Sequence, residues 1–410
     1  MSVKDLATKN SKDTKKAWPK VRLGDVCKVL TDGDWIESKD QSETGIRLIQ
    51  TGNIGNGVFE RKDNRARYIS DATFSKLNCT EIYSGDVLIS RLPEPVGRAC
   101  IVEDMGCRMI TAVDCSIVRF TNEVDSRFFI QYSQSSDYQA QVSAQLTGTT
   151  RARISRKHLS SVLIPCPPLS VQREIVARLE KELGEADKLA AKFKRVAELA
   201  DDAFKAELDE TFMAVEGEKV RLGDVCVIQR GGSPRPIKKY LTTSTNGLNW
   251  IKIGDVASDG KYIVSVEDKI TPSGLNKTRR VKAGDFLLSN SMSFGRPYIL
   301  KIDGCIHDGW LVLHGFQDKF SEDYFYYLLR SSSVQIQFDS LAHGSSVRNL
   351  NTSAVSSVEV SITSLPEQRT IVAKLDAAKE RCEKLKAAAM RGHAAAENLR
   401  KAILAEAFEQ

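Results

Sequence analysis

Between residues 371 and 403, small or apolar side chains recur at 371, 375, 378, 382, 385, 389, 392, 396, 399 and 403, in alternating steps of four and three. That spacing is a heptad seam and predicts one long helix suited to coiled-coil packing. A second stretch carries the same rhythm at 175, 179, 186, 189, 193, 196, 200 and 203, with one uneven register near Leu183. Proline precedes both, at Pro167-Pro168 and Pro366, where a helix can start but cannot extend backwards. About 43 residues at 1.5 Å each make roughly 65 Å of helix, too long to bury its stripe against one small domain. The two helices are therefore expected to pack on each other within the chain; a self-associating coiled coil between chains is the alternative. Ala at many seam positions, with Gly392 among them, predicts close approach.

Ahead of each helix the pattern changes to short β-rich runs separated by Gly, Asn and Asp turns. Val87-Leu88-Ile89, Cys115-Ser116-Ile117-Val118, Trp250-Ile251-Lys252-Ile253 and Trp310-Leu311-Val312-Leu313 read as strands, with shorter helices over 126–136 and 322–331. The expectation is a mixed α/β globular domain before each long helix.

The two halves echo each other. Lys20-Val21-Arg22-Leu23-Gly24-Asp25-Val26-Cys27 recurs letter for letter as Lys219 to Cys226, an offset of 199. Gly85-Asp86 answers Gly284-Asp285, Gly97-Arg98 answers Gly295-Arg296, and Gly148-Thr149-Thr150 answers Gly344-Ser345-Ser346. Gln172-Arg173 before Ile175-Val176-Ala177 answers Gln368-Arg369 before Ile371-Val372-Ala373 at an offset of 196. This is an internal duplication of about 195 residues, too long a period for a solenoid. A two-fold relation between the copies would set the helices antiparallel, with the globular domains at opposite ends of a rigid rod. The expected parts are a flexible basic extension over 1–19, a globular domain over 20–166, a central helix region over 167–216, a second globular domain over 217–363 and a C-terminal helix over 364–410.

Composition narrows the class. A chain of 410 residues with 41% hydrophobic and 27% charged content fits a soluble protein of two to four folding units. No apolar run is long enough to span a membrane, and the first twenty residues, with six Lys, lack the apolar core of a secretion signal, so a cytoplasmic location is expected. Nine cysteines form no C-x-x-C pair. Cys100, Cys107 and Cys115 are expected as buried thiols, with a zinc site as the alternative. His158 and His307-Asp308 are read as turn or core residues before acid–base groups. Polar strand edges account for Asp104 and Asp114 as well as a metal loop would. No phosphate loop, dinucleotide fingerprint or methyltransferase motif occurs, so no catalytic residue and no bound cofactor are expected.

Charge is distributed unevenly. The net charge is +6, yet residues 170–212 carry eight Lys or Arg against eleven Asp or Glu. Basic residues cluster instead in the two domains. The first has Arg61, Lys62, Arg65 and Arg67, and then Arg151, Arg153, Arg156 and Lys157. The second has Arg230, Arg235, Lys238 and Lys239 beside Gly231-Gly232, and then Lys277, Arg279, Arg280 and Lys282. Lys and Arg among Gly, Ser and Thr suit phosphate contact, and Arg can read guanine edges. A shared frame with divergent filling suits two readers of different specificity.

Several of these segments resemble one family. Ile164-Pro165-Cys166-Pro167-Pro168-Leu169-Ser170-Val171-Gln172-Arg173-Glu174-Ile175 and Leu365-Pro366-Glu367-Gln368-Arg369-Thr370-Ile371 are similar to the segments that open the spacer helices in specificity subunits of type I restriction–modification systems. Arg22-Leu23-Gly24-Asp25-Val26 and its copy, both Gly-Asp pairs, and Gly231-Gly232-Ser233-Pro234 resemble that family too. The resemblance implies two target recognition domains reading a bipartite double-stranded DNA target, and a spacer-helix pair that sets the gap. It implies docking of two modification subunits, with Gln172, Ile175, Gln368 and Ile371 as partner-binding candidates, and further restriction subunits. S-adenosylmethionine, ATP and magnesium would then sit on those partners. Val171 and Ser364-Leu365 depart from the family pattern, and the first domain has Thr31-Asp32-Gly33-Asp34 in place of the Gly-Gly-Ser-Pro turn. A two-headed protein-binding adaptor shares the architecture without needing basic domains, and a subunit serving methylation alone differs only in its partners.

Overall fold

The computed structural model describes residues 18–148, 151–256, 260–291, 294–342 and 349–408. The arm over 1–17, Thr149-Thr150 and the segment 343–348, including its Gly344-Ser345-Ser346 echo, lie outside the described residues. The chain divides into two compact units, residues 1–193 with 391–410, and residues 194–390.

In the first unit an antiparallel sheet runs in the order Cys27–Asp32, Cys115–Phe120, Val87–Ser90, Ala99–Ile101. A second sheet runs Tyr68–Ile69, Ile46–Ile49, Met109–Thr111, Glu81–Ile82, with a parallel pair at its centre. Every residue of Val87–Ser90 is buried, because the strand has cover on both faces. Val87 and Ile89 pack with Phe128, Phe129, Tyr138 and Leu179, and Leu88 packs with Ile49, Ile82 and Met109. The second unit repeats the scheme. Val227–Arg230, Trp310–His314, Phe286–Ser289, Pro297–Leu300 and Tyr262–Ile263 form one sheet, and Lys269–Ile270, Leu248–Ile251, Gly304–Ile306 and Arg279–Val281 the other. Phe286 and Leu288 face Phe316, Phe325 and Phe338, while Leu287 and Val312 face Ile251 and Ile306.

The echoed residues do the same physical work in each unit. Leu23 and Leu222 are buried and donate their N–H to Val162 and Val358 (2.8 and 2.9 Å). Gly85 and Gly284 have φ of +91° and +93°, where a Cβ is strained. The following Asp86 and Asp285 then accept the N–H of Tyr83 and Lys282 (2.9 and 2.8 Å).

The long helices span Leu169–Met213 and Leu365–Phe408. Within the first unit, Asp187 pairs with Arg400 (3.2 Å) and Phe193 lies against Gly392, where a Cβ would stand 2.4 Å from the ring. Within the second, Asp201 meets Lys386 (2.6 Å), Glu207 meets Arg381 (3.2 Å) and Thr211 meets Lys374 (3.1 Å). The numbers run in opposite directions, so the helix segments in each unit are antiparallel. The inward column differs from the expected seam in one respect. Leu385 and Leu399 are 49% and 47% exposed, and Leu189 and Ala203 also face out. The neighbouring Lys386 and Arg400, both half-buried, carry their charges across to Asp201 and Asp187.

Candidate nucleic-acid interface

The Gly-Gly-Ser turn of the second unit follows the strand Val227–Arg230. Gly231 donates its N–H to Trp310 O (2.9 Å), and a Cβ there would stand 2.2 Å from His307 O. At Gly232 a Cβ would stand 2.8 Å from Lys277 O. Only glycine lets the chain pass between these two backbones. That passage brings the 230–239 cluster against the 277–282 cluster. Arg230, Arg235, Lys238, Lys239, Lys277, Arg279, Arg280 and Lys282 are all exposed, and Lys277 donates to Tyr240 Oη (2.7 Å).

Asp308 organises this surface. Its carboxylate accepts from Ser233 Oγ (2.7 Å) and Arg235 Nη2 (3.4 Å), and its backbone carbonyl accepts from Arg230 Nε (3.1 Å) and Asn290 Nδ2 (2.9 Å). Gly309 N–H donates to His307 Nδ1 (3.0 Å), so the ring proton sits on Nε2, 2.9 Å from Asp308 Oδ1. Burial pushes the Asp308 carboxyl up, but Ser233, His307 and Arg235 together hold it below its usual range. Arg230 and Arg235 are thereby given direction before any ligand arrives.

The first unit carries the same turn in different letters, which revises the expectation that it lacks one. Gly33 donates to Cys115 O (2.9 Å) and Asp34 to Thr111 O (2.8 Å), and a Cβ on Gly33 would stand 2.3 Å from Thr111 O. Gly33 is thus the counterpart of Gly231. The signal in the sequence was Gly33 itself, placed just after the Cys27–Asp32 strand. Here the turn carries acids, and each is tied inward. Asp32 binds Arg91 (2.5 Å) and Ser116 (3.1 Å), and Asp34 accepts the N–H of Thr80 (2.9 Å).

Around this turn stand Arg153, paired with Asp114 (2.9 Å), and Arg156, which donates to Thr31 Oγ1 (3.4 Å). Arg151 and Lys157 are exposed beside them in sequence. Arg61, Lys62, Arg65 and Arg67 are exposed on a separate loop. Lys62 Nζ reaches Gly52 O (2.5 Å), and the buried Arg47 holds the carbonyls of Arg61 and Lys62. Sequence reasoning missed Arg47 and Arg91 and gave no role to the repeated Arg98; all three are buried. Arg98 donates to the carbonyls of Thr51, Ile54, Leu92 and Pro95 and so shapes two loops.

Of the four partner-binding candidates, Gln172, Ile175 and Gln368 are buried and Ile371 is half-buried. Gln172 is 0% exposed; its Oε1 accepts the N–H of Asp125 (2.8 Å), and its Nε2 donates to Glu123 O and Pro167 O (2.7 and 2.8 Å). Gln368 makes the same set with Ser321, Lys319 and Thr363 (2.8, 2.7 and 3.0 Å). Ile175 and Ile371 join the two cores. Gln172 and Gln368 have no accessible surface to offer a partner, so they fasten each helix to its own domain instead. Burial likewise pushes the Cys100 and Cys115 thiols up to about 12, whereas Cys107 is exposed, contrary to expectation. Among the described residues no group of His, Cys, Asp and Glu is set to hold a metal ion, and no helix is long and apolar enough to cross a membrane.

The model of the type I restriction modification DNA specificity domain matches this chain twice, over residues 15–191 and 214–389. A Haemophilus influenzae protein described as a type I restriction enzyme specificity subunit is 25% identical over 270 residues, 63% of this chain and 66% of its own length. The MjaVIII specificity subunit of Methanocaldococcus jannaschii is 23% identical over 265 residues, 57% of this chain and 59% of its own. The matches thus span less than two thirds of either curated relative. A chain from a structure of complex assembly in a type I R-M system aligns over 97% of this chain and 99% of its own, with a TM-score of 0.73 at 21% identity. The HsdS subunit of Thermoanaerobacter tengcongensis aligns over 96% and 97%, with a TM-score of 0.53 and 21% identity. Both likenesses are of fold.

Proposed function

From the premise that this chain belongs to the type I restriction–modification specificity subunits, we propose that each unit reads one half of a split DNA target. The observation that carries this reading is the duplicated glycine turn: one backbone construction, at Gly33 and at Gly231, surrounded by different side chains. Equal backbones give two readers the same approach to a duplex, and unequal side chains give them different bases to prefer. In the second unit Arg230, Arg235, Lys238, Lys239, Arg279 and Arg280 supply phosphate and base contacts. In the first, Arg151, Arg153, Arg156 and the loop bearing Arg61, Lys62, Arg65 and Arg67 do so.

The long helices set the unspecified gap between the halves and dock two modification subunits. Leu189 and Leu399 in the first unit, and Leu199, Leu385 and Met390 in the second, are exposed apolar residues on these helices and support docking there. Methyl transfer from S-adenosylmethionine, and ATP- and magnesium-dependent restriction, belong on this reading to the modification and restriction partners. The complex works in the cytoplasm, where its DNA is.

Mapping methylated adenines across the host genome, with the chain expressed beside its neighbouring genes, tests this. A motif of two short defined halves around a gap is expected. A continuous motif, or none while the methyltransferase subunits are active, returns the adaptor reading. Duplex affinity that falls steeply with salt separates the two independently.

A further inference from the structure

Trp35 stands two residues beyond Gly33 and is 69% exposed, more open than Tyr83 or Tyr262. An indole is the costliest ring to leave in water, and Trp is drawn to interfaces where one part is apolar and another polar. Its backbone is fixed by the turn, since Gly33 and Asp34 donate to Cys115 O and Thr111 O, and the next residue, Ile36, packs into the core beside Ile46 and Leu48. Its Nε1 donates to Glu37 Oε1 (3.3 Å), which steadies the ring edge and leaves the faces open.

The charged groups around it are paired, and two arginines stand at the turn. Asp32 is bound to Arg91 and Ser116 and Glu37 to Lys39 (2.7 Å), while Asp34 and Asp40 accept the N–H of Thr80 and of Glu37, so each of these acids has a partner. Arg156 reaches Thr31 on the same turn, and Arg153 stands at Asp114, whose carbonyl accepts the Arg91 N–H (2.9 Å). A rigidly presented ring with Arg156 bonded to the same turn suits base stacking, because every base offers a π-face and the backbone offers phosphates.

We propose that Trp35 lays its indole against a base step of the duplex bound by the first unit, so that this turn reads by stacking where the Arg235 turn of the second unit reads by charge. The inference rests on the DNA-recognition reading and adds the chemistry of one contact. An aromatic wedge makes recognition depend on how easily a step unstacks, a form of readout that needs no base-edge hydrogen bond.

The test uses the full chain, a short duplex carrying the methylated motif, and a scrambled duplex of equal length. Trp250 and Trp310 are buried and Trp18 is half-buried against the first core, so most of the quenching of tryptophan emission by the motif duplex is expected to be lost in Trp35→Phe while that variant still binds. Trp35→Ala is expected to weaken binding by roughly five- to a hundredfold. Its salt dependence should match wild type, whereas Arg235→Ala should lower the slope by about one. Trp35→Ala binding within twofold of wild type, or unchanged quenching in Trp35→Phe, overturns the stacking contact and leaves DNA recognition standing. Failure of wild type to prefer the motif duplex overturns the recognition reading itself, and the contact with it.

Discussion

Gln172 and Gln368 show how much a single buried side chain can decide. Each satisfies one backbone N–H and two carbonyls where a helix leaves its domain. Gln172→Ala strands those groups and is expected to cost about 1–3 kcal/mol, read by denaturant unfolding of the full chain. A loss below about 0.5 kcal/mol would show that water takes over the three bonds. The recurrence of Gln-Arg was visible in the letters, but its meaning was not. Repetition marks a constrained position, and only the bonds to Asp125 and Ser321 show that the constraint lies inside the fold. Arg235 is the opposite case, exposed and held by Asp308 alone among the pairs described. Arg235→Ala is expected to weaken reading of one half of the target only, seen as relaxed methylation at that half. Equal loss at both halves would count against separate readers.

At the scale of elements, the long helices follow from heptad spacing and proline punctuation, both local properties of a sequence. Most of the inward face followed too, with Leu375, Ala378, Ala389 and Ala396 buried, but four of the expected positions did not. Leu385 and Leu399 are exposed while the half-buried Lys386 and Arg400 beside them pair with Asp201 and Asp187 of the antiparallel neighbour. Leu385→Gln and Leu399→Gln are therefore expected to leave the melting temperature within about 1 °C of wild type, as surface changes do. The pair should reduce co-purification of the modification subunits. A drop of several degrees would instead place those leucines in the fold's own core. Strand positions were legible where apolar runs were unbroken, as at Trp310–His314. They were less so at Leu248–Ile251, where the chain turns away after Ile251 and Lys252 N–H bonds Asp255.

For the molecule as a whole, the spacing function assigned to the helices has a direct consequence. Seven residues inserted in register into both long helices add about 10 Å, two turns, and are expected to widen the gap between unchanged half-sites by about three base pairs. Methylation mapping reads the gap, and an unchanged gap would refute the ruler.

Duplication, the α/β character of each half, the two long helices and the family likeness were all determined by the sequence alone, because periodicity and repeated letters are properties of the chain in one dimension. Tertiary structure decided which residues those signals serve. Gly33 matters because Thr111 O lies where its Cβ would be, and Asp308 matters because Ser233 and Arg235 arrive beside it from 75 and 73 residues away along the chain. Burial and pairing depend on what the fold brings from distant positions, and no pattern along the chain carries that information.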